Sequence, residues 1–149
     1  MNIYEKINEW LTTTYQPLNE WLYFNATPMI VGTVAMNSVS GDRVYKRFVD
    51  GSVQRRVIFA IDMVLSYDDA GTSDVNMNAI NEVNKFSEWI EEQLSLQNVP
   101  DFGKNRTIES IEVLTNVPSL LIDNTNGLAK YQFQARIEYK DESEVIKNG

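Results

Sequence analysis

Residues 53–67 limit what this chain can fold into more than any other stretch. Their odd positions Val57, Phe59, Ile61, Met63, Leu65 and Tyr67 form the period-two pattern of a strand face packed on a core. The even positions Ile58, Ala60 and Val64 are also apolar, with Asp62 as the interruption, so both faces of the middle of this strand are expected to be covered. Such a strand belongs near the centre of a sheet. Residues 43–49 read as its hairpin partner. Asp50-Gly51 lies between the two runs, and a tight turn of the primed type needs positive φ, which Gly tolerates and Asp resists less than most residues. The expectation is one long two-stranded ribbon with Arg43, Lys46, Arg47, Arg55 and Arg56 crowded around its tip.

Toward the N-terminus, Asn8-Glu9-Trp10-Leu11 recurs as Asn19-Glu20-Trp21-Leu22. Pro17 lacks the N–H that a continuous helix needs, so the pattern predicts a helix over residues 2–13 burying Ile3, Ile7, Trp10 and Leu11, then a short helical turn opened by Pro17. Both Trp-Leu pairs are read as core or interface anchors. Residues 29–36 are β-prone around Gly32, and residues 38–42 read as the turn into the ribbon. Further on, Ala79, Ile80, Val83, Phe86, Ile90 and Leu94 recur at helical spacing, with Asn81, Asn84, Lys85, Glu88, Glu91 and Glu92 on the wet side. This helix is expected to begin at 74–76, where oxygen-bearing side chains can satisfy free N–H groups, and to stop before Pro100.

The last third returns to strands. Residues 106–115 form one, with a bulge where Ile108 gives way to Ile111 and Val113. Residues 120–122 and 128–139 form a hairpin around 123–127. Tyr131, Phe133, Ala135, Ile137 and Tyr139 point one way, and Lys130, Gln132, Gln134, Arg136 and Glu138 the other. The charged residues 140–149 are expected to fray. A helix, three strands, a helix and three strands predict a single α+β domain: a mixed or mostly antiparallel sheet with a long β-ribbon, packed against a long central helix and the N-terminal helix.

Composition narrows the chemistry. The chain has no Cys and no His, which removes thiolate nucleophiles, disulfides, the commonest metal ligand and the usual neutral-pH acid–base. A net charge of -8 disfavours a free-standing nucleic-acid binder. Neither a signal peptide nor a membrane span is evident, so a cytoplasmic location is expected. Asp68, Asp69 and Asp74 lack the ligand ladder of a calcium loop. Glu91 and Glu92 point about 100° apart on a helix and cannot share a proton. Asp62 is read as a satisfied buried or interface carboxylate rather than a general base. Two glycosylation sequons, at Asn25 and Asn105, are read as chance. No catalytic, cofactor-binding or metal-binding residue is assigned.

The ribbon sequence Tyr45-Lys46-Arg47-Phe48-Val49-Asp50-Gly51-Ser52, followed by Arg55-Arg56-Val57-Ile58-Phe59, resembles minor capsid or tail terminator (tail completion) proteins of long-tailed bacteriophages of Gram-positive bacteria. The resemblance extends from the amphipathic N-terminus to the strand ending at Tyr139 and rests on the order of elements as much as on identities. It implies a non-enzymatic virion protein assembled in the host cytoplasm as a homo-oligomeric ring, a hexamer, at the head-proximal end of the tail. There it would stop tube polymerisation and join the tail-tube protein to the head connector, with DNA passing through without specific binding. A head-closure or tail-tube role in the same virion is an alternative. So is a small-molecule-binding or isomerase-like domain using Asp62 and buried Tyr residues. The basic cluster has two open roles. It can solubilise a projecting ribbon and guard its edge, or, with Arg47, Asp50, Arg55 and Arg56 at the interface, meet Glu88, Glu91 and Glu92 of a neighbouring subunit.

Overall fold

The computed structural model describes residues 2–70, 74–115, 118–123 and 126–145. Helix α1 (Ile3–Thr14) starts where Asn2 Oδ1 accepts from the Glu5 N–H at 2.8 Å, and it buries Ile3, Ile7, Trp10 and Leu11, the predicted face. A 3₁₀ turn, Gln16–Leu18, follows with Pro17 in its first turn. Asn19 and Glu20 then take positive φ of 52° and 63°, so the second Asn-Glu-Trp-Leu unit is not helical. The two tryptophans therefore part ways, while Leu11 and Leu22 are both in the core: Trp10 is 4% exposed, but Trp21 is 66% exposed and is no core anchor.

Among the described residues, six strands form one sheet: β1 (Tyr23–Phe24), β2 (Val34–Arg47), β3 (Val53–Ser66), β4 (Arg106–Val113), β5 (Ser119–Asp123) and β6 (Leu128–Asp141), with α2 (Val75–Glu92) between β3 and β4. The order is β1-β2-β3-β6-β4, with β5 also on β6. Only β1 and β2 are parallel. Because β3 lines one edge of β6 from Val53↔Asp141 to Ser66↔Leu128, β4 and β5 succeed one another along its other edge. The central place of β3 and the bulge between Ile108 and Ser110 in β4 agree with the sequence reading.

Five expectations are corrected. The hairpin is not a free two-stranded ribbon, since β6 flanks β3 to its tip. Its incoming strand begins at Val34, and residues 29–32 lie outside any strand. Residues 38–42 are not a turn but part of β2, where register shifts between Ser38 and Ser40 and between Ser40 and Arg43 absorb their irregular sequence. The tip is a three-residue turn: Gly51 N–H donates to Phe48 O at 3.2 Å and Phe48 N–H to Ser52 O at 2.9 Å, and only Gly51 has positive φ (92°). Asp50 stays in ordinary conformational space and accepts from the Ser52 N–H and hydroxyl at 2.9 and 2.6 Å. Finally, Lys140 and Asp141 belong to β6, and Glu142 N–H bonds Asn105 O at 2.8 Å. Of the tail expected to fray, residues 146–149 lie outside the described residues, as do 71–73 before α2 and 124 and 125 of the β5–β6 turn.

Helices α1 and α2 cover one face of the sheet. Val57, Phe59, Ile61 and Met63 of β3, Met36 of β2, Ile111 of β4 and the predicted five residues of β6 are buried there against Ile7, Trp10, Leu11, Ala79, Val83, Phe86 and Ile90. Phe86 meets Phe133 edge-on at 5.9 Å, and Tyr15 stacks on Phe86 at 4.2 Å. Lys6 Nζ donates to Phe102 O at 2.8 Å and Trp10 Nε1 to Asn98 O at 3.1 Å, which fastens the α2–β4 connection to α1. No helix among the described residues is long and apolar enough to cross a membrane.

Candidate assembly surface

Among the described residues, the opposite face of the sheet carries no helix and is organised by polar side chains. At its inner end, Asp62 is 2% exposed and accepts from Thr27 Oγ1 (2.7 Å), Asn37 Nδ2 (2.6 Å) and Gln132 Nε2 (2.7 Å). Three donors from a loop and two neighbouring strands commit this carboxylate to structure, as a buried charge requires. It lines none of the surface hollows of about 450, 420 and 320 Å³ beside α1 and the 3₁₀ turn. The Asn25 sequon is engaged in the same region: Asn25 Oδ1 accepts from Ser38 N–H at 2.8 Å, and Thr27 serves Asp62.

Nearer the tip, an ion-pair ladder crosses four strands. Arg56 on β3 lies over the Tyr45 ring at 4.2 Å and approaches Glu138 of β6 at 3.2 Å. Tyr45 OH donates to the same carboxylate at 3.0 Å, Arg136 Nε approaches it at 3.1 Å, and Arg136 extends to Glu112 of β4 at 2.7 Å. Arg55 faces the other way. It reaches buried Asp141 at 3.2 Å, which Arg106 approaches at 3.5 Å and Ser143 bonds through its N–H and hydroxyl. Burial alone would raise the Asp141 carboxyl, but the Ser143 hydrogen bonds and then the Arg106 and Arg55 charges outweigh it and hold the pKa below the ordinary carboxylate value. Beside it, burial first and a 2.6 Å hydrogen bond to Asp42 second push the Tyr139 phenol well above its usual pKa.

Arg55 and Arg56 thus have carboxylate partners within the chain, although Arg56 Nε is buried without a hydrogen bond, whereas Lys46 and Arg47 have no carboxylate partner among the described residues. The outer part of β2 is an exposed edge, because β1 covers only Ala35 and Met36. At the tip, the Phe48 ring sits between the ammonium groups of Lys46 (5.2 Å) and Lys140 (5.5 Å), and Val49 is fully exposed. Asp50 turns inward to Ser52, which lowers its pKa. Glu88, Glu91 and Glu92 stand on the exposed side of α2, where Glu91 accepts from the Val113 N–H at 3.3 Å, and the structure pairs none of them with the basic cluster. The Asp74 side chain makes no capping bond at the α2 start; Asn76 instead ties to the backbone of Asp68 at 2.8 and 2.7 Å.

Sequence reasoning missed two parts of this surface. Leu120, Leu121 and Ile122 are all exposed on β5, a short edge strand. Three consecutive apolar residues in a strand put hydrophobic groups on both faces, which was the signal available. The apolar pair Phe48 and Val49 at the basic tip was the other. No protein-family model matches the chain, and no curated protein matches it at a significant level.

Proposed function

We propose that this chain is a non-enzymatic structural subunit of a long-tailed phage, forming a ring at the head-proximal end of the tail that ends tube polymerisation and receives the head connector. One observation carries the reading beyond the sequence resemblance: the two edges of the sheet are open and chemically unlike. One edge ends in a basic, irregular β2, and the other carries the bare apolar strand β5. An exposed apolar edge is an aggregation hazard unless a working assembly covers it. Unlike edges suit head-to-tail contacts, which close into rings when the rotation permits. The excess of negative charge agrees with a ring that lets DNA pass without holding it.

The test is deletion of the gene from its phage followed by complementation. The reading expects overlong tails and unjoined heads without the gene, and normal virions when it is restored. Normal tail length without the gene would refute it, and long tubes in negative-stain images of the purified protein would favour the tail-tube role.

A further inference from the structure

We infer that the basic β2–β3 tip of one copy docks in the acidic hollow between α1 and β1 of the next copy, an inference that rests on the ring reading above. The hollow, about 450 Å³, is lined by Tyr4, Glu5, Asn8, Glu9, Thr12 and Phe24. Its walls are aromatic, with Tyr4 and Phe24 in ring contact at 5.9 Å, and its rim is acidic. Glu5 is held in place by Asn2 at 2.9 Å, and Glu9 has no cationic partner among the described residues. The tip is the converse: Phe48 and Val49 are exposed apolar groups, with Lys46 and Lys140 over the Phe48 ring and exposed Arg47 next to it in sequence. Apolar matches apolar, and unpaired cations meet unpaired carboxylates.

The two patches cannot meet within one molecule. Tyr4 OH donates to Ser40 O at 2.7 Å, which fixes the hollow at the level of Ser40. Val49 is nine residues further along, roughly 25–30 Å at strand rise. The backing of β3 by β6 along its whole length keeps the hairpin from folding back. A patch that fits a different, distant patch on the same surface gives a heterologous contact, the kind that builds rings.

The chain contains no cysteine, so introduced thiols report this contact alone. Val49→Cys and Asn8→Cys chains, mixed in a glutathione redox buffer, are expected to form the mixed disulfide dimer about tenfold faster than either homodimer, with the preference lost in 1 M salt. Adding Lys46→Glu and Arg47→Glu to the first chain should abolish the preference, and adding Glu5→Lys and Glu9→Lys to the second should restore it. Equal rates of mixed and like dimers overturn the contact, as does a Val49→Cys chain that crosslinks in extract to another protein while ignoring the Asn8→Cys chain. Rings of native mass without the crosslink would sink this contact and spare the ring. The crosslink together with normal tails in the deleted phage would spare the contact and sink the virion role.

Discussion

On the helix-covered side of β6, Tyr131, Phe133, Ala135, Ile137 and Tyr139 are buried, whereas on the other side Gln132, Arg136 and Glu138 are half-exposed and held by side-chain hydrogen bonds and ion pairs. One backbone ladder serves both faces. The first face is stabilised by apolar burial and ring packing, which tolerate no loss of volume. The second is held by directed polar contacts, whose net contribution is small while they are intact and whose breakage is costly only where the partner is buried. Stability should therefore concentrate on the helix side and fall off toward the tip.

The largest test of that difference is Phe133→Ala or Phe59→Ala, each expected to cost about 3–5 kcal/mol in chemical denaturation because both rings are fully buried. Asp62→Ala comes next. It leaves the Thr27, Asn37 and Gln132 donors unmet, for an expected loss of about 2–3 kcal/mol; a loss below about 0.5 kcal/mol would mean that water reaches them. Reversing Arg55 and Arg56 together to Glu sets like charges against Asp141 and Glu138. Allowing for the partial exposure of both arginines, it should cost about 1–2 kcal/mol. That variant consequently damages the fold and cannot report on assembly alone.

A pH titration sharpens the contrast further. The folded Asp141 carboxyl lies below its ordinary value of 3.8, so its contribution is fully present above the unfolded pKa and is lost as pH falls through the lowered folded value. The stability of Asp141→Asn should accordingly fall less steeply than that of the natural chain below about pH 4, with parallel profiles above it. Parallel profiles throughout would show that the Ser143 hydrogen bonds and the guanidinium neighbours together do not favour the ionised Asp141.

The helix-side pattern was legible because it is local and periodic: Ile3, Ile7, Trp10 and Leu11 in α1, the apolar spine of α2 and the alternation of β6 each follow from neighbouring residues. Residues 38–42 misled because Ser, Gly and Asp are turn formers, and pairing with β3 carried them into a bulged strand. The partners of Arg55 and Arg56 were illegible for a different reason. Asp141 and Glu138 lie more than eighty residues away, and only the β3–β6 register brings them together. In the second Trp-Leu unit Leu22 reaches the core but Trp21 does not, because left-handed Asn19 and Glu20 break the helix that would have placed both, which a tetrapeptide match to α1 could not reveal.

The central claim is that the tip serves assembly and not folding, and the double variant Lys46→Glu/Arg47→Glu tests it most directly. These residues have no carboxylate partner among the described residues, so melting should stay within about 0.5 kcal/mol of the natural protein. In the complemented phage the same variant should fail to close rings, giving overlong tails and unjoined heads. A folded variant that supports normal tail length and infectivity would contradict the account.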